Sequence, residues 1–230
     1  MRDEKGGGPA PEPASFAELI ASLNLIVGRT YAELACRCAV TLPESPLHGK
    51  GFAGALIEKC LGASAGNSAE PDFPKLALEL KTMPVGAKLR PLESTFISFA
   101  PLTGIRGLTF EESALYRKIR RVLFVIVYAP RSEPLPRRRV LGYFFWRPSA
   151  EELALIRRDY EELMELVKTG RIESVSARLG TAVQLRPKCA DGSVLTSGSG
   201  PAGELIKTRP RGFYLRRSFA ARLLERCWHA

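Results

Sequence analysis

The sequence predicts an α/β fold, a mixed sheet with interleaved helices behind a helical lobe, and three observations carry that reading. Val122–Tyr128 is an unbroken apolar run of strand length, as expected for a central strand buried on both faces. Ser15-x-x-Glu18 and Thr30-x-x-Glu33 have capping-box form and open apolar-periodic segments ahead of any strand signal. Ser149-x-x-Glu152 opens a third such segment after the apolar run, so helices and strands interleave along the chain.

In chain order, Met1 to Pro13 is charged and rich in Gly and Pro, with no apolar core region; residues 1–14 read as a disordered tail. Helices follow near 15–27 and 30–39, then a loop from Pro43 to Gly51. Residues 51–61 make a third helix, with Phe52, Leu56 and Cys60 on one stripe and Glu58 on the opposite side. Strands are expected near 76–83 and 95–100. A helix near 111–121 then carries Leu115, Ile119 and Val122 on its core face. Leu141–Trp146 is a further strand, and the acidic helix from Ser149 runs to about Lys168. Shorter strands surround residues 174–187, Gly192–Gly203 is a flexible loop, and Ser218–Cys227 is a terminal helix.

The 230 residues suffice for one large domain or two small lobes with an ample core. The chain holds 34 Lys+Arg against 24 Asp+Glu, a net charge of +10, which suits a polyanionic partner. The excess is uneven. Basic residues crowd Arg117–Arg121, Arg137–Arg139 and the last forty-eight residues, whereas residues 149–168 carry six acidic and three basic side chains. That asymmetry suggests one face for nucleic acid and another turned away from it. The five cysteines are odd in number and irregularly spaced, and no secretory signal precedes them, so reduced thiols in a cytoplasmic protein are expected, with Cys60 in the core. Cys36-x-Cys38 with His48 lacks zinc-site spacing. No apolar run reaches membrane-spanning length. Gly62–Gly66 resembles a phosphate loop but lacks the Gly-Lys-Ser/Thr ending, and with His48 and His229 the only histidines, a histidine-dependent nucleophilic site has little to rest on.

The chemistry concentrates in Pro71–Lys81. Glu79 and Lys81 stand two apart on a strand and so share a face, while Leu76, Leu78 and Leu80 fill the other. Asp72, in the turn before the strand, can fold back so that its carboxylate joins that of Glu79. Two such carboxylates favour Mg²⁺ together with a substrate phosphate. Lys81 is then placed to orient the attacking water or stabilise negative charge. Alternating Glu and Lys also decorates ordinary solvated sheet faces, so the triplet alone leaves both readings open.

Longer blocks narrow the choice. Leu56-Ile57-Glu58-x-x-Leu61-Gly62-Ala63-Ser64-Ala65-Gly66, Asp72…Glu79-Leu80-Lys81-Thr82-x-Pro84 and Ala100-Pro101-Leu102-Thr103-Gly104 stand in order. They are followed by Lys118-x-x-Arg121-Val122-Leu123, Leu185-Arg186-Pro187-Lys188 and Pro210-Arg211-Gly212-Phe213-Tyr214-Leu215. Together these resemble the MutH family of DNA mismatch-repair endonucleases, relatives of GATC-specific type II restriction enzymes, over nearly the whole chain beyond the first fourteen residues. The resemblance implies a restriction-endonuclease-like core, a central mixed β-sheet flanked by helices, with a helical N-terminal lobe. It makes residues 15–230 one endonuclease domain with two lobes around a DNA cleft.

By the same resemblance, Asp72, Glu79 and Glu58 are the Mg²⁺ and catalytic acids, and Lys81 and Lys118 the active-site lysines. Arg186 is a base-reading arginine suited to guanine O6 and N7. Lys188 and Lys50 are phosphate contacts. Tyr214 senses adenine methylation, although Gly-Phe-Tyr-Leu equally suits a sheet or core tyrosine. Phe96 is a candidate for the DNA face or the core. The implied activity is nicking of the unmethylated strand at hemimethylated d(GATC) by a monomer. The ATPase MutL activates it and MutS acts indirectly through MutL; apart from the resemblance, the charge of the acidic segment 149–168, opposed to the DNA-binding side, makes it the candidate docking side. The alternatives are a restriction enzyme that cuts both strands, a catalytically silent DNA-binding module and a basic interaction protein without sequence preference.

Overall fold

In the computed structural model, which describes residues 10–44, 51–65, 70–189 and 191–228, the apolar run becomes the middle strand of a mixed sheet. Strands β1 (Glu79–Val85), β3 (Val122–Tyr128) and β4 (Arg139–Trp146), numbered in chain order, lie side by side as β1-β3-β4. β1 runs parallel to β3, with Glu79 opposite Val122, and β4 returns antiparallel, with Trp146 opposite Val122. Val122 through Val127 are all buried, as a strand covered on both faces must be.

Helices α1 (Phe16–Ile26), α2 (Tyr31–Arg37) and α3 (Phe52–Leu61) start where capping residues meet apolar periodicity. Ser15 accepts the Glu18 amide, and Thr30 with Glu33 forms a complete capping box. Leu19, Leu23, Leu34, Leu56 and Ile57 from these helices join Leu80, Leu123 and Val125 in one core. The N-terminal helices therefore pack on this sheet and share its core. Residues 10–14, expected within a disordered tail, also pack here. The Ala10 amide donates to the Lys59 carbonyl at 3.2 Å and Pro13 is buried. Gly62 ends α3 in the left-handed region (φ 73°), and a Cβ there would stand 2.2 Å from the Pro11 carbonyl oxygen, so only glycine fits.

These elements form one compact unit, which takes in the described residues up to Leu92, Arg121–Trp146 and those from Cys227 onward; Glu93–Arg120 and Arg147–Arg226 form a second. The sheet of the second unit is antiparallel, with β8 (Arg211–Leu215) between β2 (Thr95–Phe99) and β5 (Val183–Pro187). α4 (Ala114–Ile119) is shorter than expected because Ser113 caps it by accepting the Tyr116 amide, and Val122 belongs to β3. α5 (Ala150–Lys168) buries Ile156, Tyr160, Leu163, Met164 and Val167 and exposes most of its acids. α6 (Arg217–Cys227) closes the unit. The expected flexible loop Gly192–Gly203 instead contains β6 (Thr196–Ser199), which pairs with β7 (Leu205–Thr208). Its Gly- and Ser-rich composition hides a ladder whose hydrogen bonds are made by the backbone.

The cysteines also depart from expectation. Cys38, at the end of α2, and Cys60, in α3, are both buried and joined in a disulfide across a Cα–Cα distance of 5.9 Å, leaving Cys36, Cys189 and Cys227 free. A spacing of 22 residues carries no local signal; the pairing arises only when α2 packs on α3. Among the described residues, no helix is long and apolar enough to cross a membrane.

Candidate catalytic corner and nucleic-acid interface

The strand expected from residue 76 begins at Glu79, because Pro74–Leu76 forms a 3₁₀ turn and Ala77 sits in the left-handed region (φ 48°). The Phe73 and Leu78 backbones close this turn with reciprocal bonds of 2.9 and 3.2 Å. A non-glycine residue held at positive φ is mildly strained and persists only where its surroundings impose it. Here the turn brings Asp72 back to the start of β1. Its Oδ2 accepts the Leu80 amide at 2.8 Å, and its carbonyl accepts the amides of Ser64 and Ala65 at 3.1 and 3.4 Å. Lys81 Nζ then lies 2.5 Å from Glu79 Oε1 and 3.9 Å from Asp72 Oδ2.

Glu79 is fully buried and Asp72 nearly so. That burial removes the solvated-face reading: a decorative glutamate stays in water, whereas a buried carboxylate must be paired. Arg121 braces the same corner. Its Nη1 donates to the Leu76 carbonyl at 3.2 Å, its carbonyl accepts the Glu79 amide at 3.0 Å, and its guanidinium lies over Phe16. Charge clustering gave Arg121 no separate role; its one signal was its place in the Lys118-x-x-Arg121 block.

Two carboxylate oxygens facing one cation are the donor type that a hard divalent ion takes, so Asp72 and Glu79 suit Mg²⁺. Among the described residues, no three His, Cys, Asp or Glu side chains converge to hold an ion. Glu58 is partly buried on α3, its Oε1 3.7 Å from where a Cβ on Gly54 would stand. Lys118 is partly buried on α4, in the second unit. Lys50 falls outside the described residues.

The remaining candidates meet on one face of the β2-β8-β5 sheet. Phe96 pairs with Tyr214 across β2 and β8, Gln184 with Tyr214 and Arg186 with Gly212 across β8 and β5. The period of two puts Arg186 and the residue in register with Tyr214 on the same side. Their rings and cations interleave. Phe96 meets Tyr214 at 5.4 Å between centroids, the Arg186 guanidinium lies 5.6 Å from the Tyr214 centroid, and Lys188 Nζ lies 4.8 Å from that of Phe96. Arg186 is exposed, and its Nη1 donates to Ser94 Oγ at 3.0 Å. Gly212 makes the layering possible, because a Cβ there would come within 2.6 Å of the Phe96 ring. Burial raises the Tyr214 pKa, against the nearby Arg186 charge, so its hydroxyl remains protonated at neutral pH. Cations alternating with aromatic rings on an open sheet face suit phosphates and bases.

A mixed sheet with a carboxylate–lysine corner at the start of a strand defines an α/β protein of the restriction-endonuclease-like class. Residues 61–159 match the family profile "DNA mismatch repair enzyme MutH". The DNA mismatch repair protein MutH of Vibrio campbellii is 47% identical over 214 residues, spanning 93% of this chain and 95% of that protein. Those of Vibrio parahaemolyticus and Salmonella paratyphi B are 46% and 47% identical over the same share of the chain. The chain belongs to the MutH family of DNA mismatch repair proteins.

Proposed function

We propose that this chain is a Mg²⁺-dependent DNA endonuclease that nicks the unmethylated strand at hemimethylated d(GATC) in methyl-directed mismatch repair. The observation that supports it most is the buried pair of Asp72 and Glu79 facing Lys81. Asp72 and Glu79 hold the ion, which when bound supplies Lewis-acid activation of the scissile phosphate. Lys81 orients the attacking water and its charge opposes the negative charge that develops on phosphorus oxygens as the phosphodiester P–O bond breaks. The family likeness adds Glu58 as an auxiliary acid and Lys118 as an auxiliary lysine.

Specificity belongs to the second unit. Arg186 reads a guanine edge, Tyr214 responds to the adenine methyl group, and Lys188 and Phe96 hold the duplex, to which Lys50 of the first unit adds a phosphate contact. The protein acts in the cytoplasm as a monomer, whose single site suits one-strand cutting. MutL supplies ATP-dependent activation and MutS acts through MutL.

The test is incubation with Mg²⁺ and GATC duplexes in three methylation states, each strand read separately. Nicking confined to the unmethylated strand and absent from Glu79→Ala is the expected result. Concerted cutting of both strands of unmethylated DNA points to a restriction enzyme instead. No cutting, even with MutL and ATP, leaves a binding module.

A further inference from the structure

Phe99 ends β2 and is 56% exposed, the one aromatic among the exposed large hydrophobics of the described residues. Single exposed apolar side chains are ordinary. What sets Phe99 apart is its company. It pairs in register with Gly212, so it stands on the same sheet face as Arg186 and Tyr214. Its ring meets Phe96 edge-on at 5.3 Å and extends the row in which Phe96 touches Tyr214 and Lys188 caps Phe96. The other rings of that row are partly buried, and their neighbours are Arg186 and Lys188. Beside Phe99 lies a cavity of about 290 Å³ walled by Pro101, Thr103, Thr196, Ser197 and Pro210. It therefore offers an aromatic wall and three hydroxyl-bearing side chains, a mixture of surfaces that suits a nucleoside.

We infer that Phe99 and this cavity form an accessory nucleotide-binding site, which takes one nucleotide flipped out of the bound duplex beside the recognition sequence, with the ring stacked on its freed base. The inference rests on the DNA-binding role proposed for this face. Stacking is indifferent to base identity because every base has a π face. Phe99 therefore contributes affinity and register, leaving sequence choice to Arg186.

The experiment uses hemimethylated GATC duplexes carrying 2-aminopurine singly at each flanking position, with EDTA present to prevent cutting. Emission and duplex affinity are compared for the full chain and for Phe99→Ala, Phe99→Leu, Phe99→Trp and Arg186→Ala, with circular dichroism and Tm confirming that each is folded. The native chain should change the emission at one flanking position. Phe99→Ala and Phe99→Leu should lose that change and bind at least about fivefold more weakly, the factor for about 1 kcal/mol at the low end of one base–aromatic stack, while Phe99→Trp retains both. If Phe99→Ala matches the native chain while Arg186→Ala binds weakly, the face carries DNA but Phe99 does not touch it, and the inference falls. If both variants bind as the native chain does, the DNA-binding reading of the face falls with it.

Discussion

The Arg186 guanidinium stacks diagonally on Tyr214 across β5 and β8, 5.6 Å from the ring centre. With Ser94 Oγ accepting from its Nη1, the fork is braced at two points before any base arrives. A pre-organised planar fork loses little freedom on meeting guanine O6 and N7. Arg186→Ala should therefore cost about 1–3 kcal/mol of discrimination for GATC over singly altered sites. Arg186→Lys should restore little, since an ammonium has no fork. Equal weakening on every sequence would reduce Arg186 to a phosphate contact. Tyr214→Phe keeps the stack and removes only the hydroxyl donor. It should change the ratio of nicking on hemimethylated and fully methylated duplexes; an unchanged ratio moves methyl sensing elsewhere.

Glu79 and Lys81 make a second pair, and here stability and catalysis pull in opposite directions. Lys81 Nζ is the cation 2.5 Å from a fully buried carboxylate. Removing Lys81 leaves Glu79 charged and buried without that partner, a change that typically costs about 3–5 kcal/mol. Lys81→Ala should accordingly lower the urea midpoint in EDTA much more than Glu79→Gln, which removes the charge itself. Both should stop nicking. Glu79→Ala should also stop nicking while leaving duplex binding largely intact, and full nicking by that variant would remove Glu79 from the site.

Much of this corner was legible because it is local. Glu79 and Lys81 share a face by strand period, and Asp72 lies within a turn's reach, so their meeting needs only the Pro74–Ala77 reversal. The fold class was legible for a similar reason: capping residues and a strand-length apolar run act over a few positions. What sequence concealed depends on distant packing. Cys38 meets Cys60 only after α2 docks on α3, and Arg121 reaches the Leu76 carbonyl only after β3 pairs with β1. Glu58 was assigned to the ion-binding set by likeness alone, since nothing local in the sequence links a residue of α3 to the Asp72 turn. Phe99 carried no signal, since exposure of a strand-end phenylalanine is decided by what the neighbouring strand leaves uncovered.

Asp159 shows how an acidic helix can serve a basic face. It is buried on α5, and its Oδ2 accepts the amides of Thr181, Ala182 and Val183 at 2.8, 2.6 and 2.9 Å. Those residues lead into β5, whose far end carries Arg186. A carboxylate taking three amide donors is strongly held, so Asp159→Ala leaves buried donors unmatched and should cost about 3 kcal/mol or more. Asp159→Asn retains an acceptor oxygen and should lose less. Chemical denaturation measures the difference. Discrimination for GATC should decline in step with it, and a stable Asp159→Ala would show that β5 needs no such anchor.

Glu173 gives this unit an acid-sensitive contact. The Thr208 hydroxyl donates to its Oε1 at 2.5 Å, and buried Arg211 donates to its Oε2 at 3.0 Å. The Thr208 bond, followed by the charge of Arg211, holds its pKa below the ordinary 4.5, against a desolvation effect that raises it. Because the folded value is the lower one, its contribution is complete above 4.5 and is lost as pH falls through the folded value. Glu173→Gln should thus be less stable than the native chain at pH 7, and the gap should narrow as the pH falls well below 4.5. A gap constant across that range would exclude Glu173 titration as its source.

The Cys38–Cys60 bond makes the helical cover of the sheet depend on redox state. It closes a loop of 22 residues between α2 and α3, the helix that also carries Glu58. Constraining a loop of that size stabilises a fold by about 3 kcal/mol, chiefly by restricting the unfolded chain. For a domain of this length that corresponds to a Tm change of about 6–12 °C. Denatured protein kept oxidised should expose three titratable thiols, and reduction should raise the count to the five in the chain and lower Tm by that amount. Cys38→Ser should reproduce the lower Tm without reductant and make it indifferent to reductant. Five reactive thiols in oxidised, unfolded protein would show that the two sulfurs pack without bonding. The helices would then rest on packing, with Leu34, Leu56 and Ile57 in the shared core and the Tyr31 ring edge-on to Phe52, to hold α2 against α3.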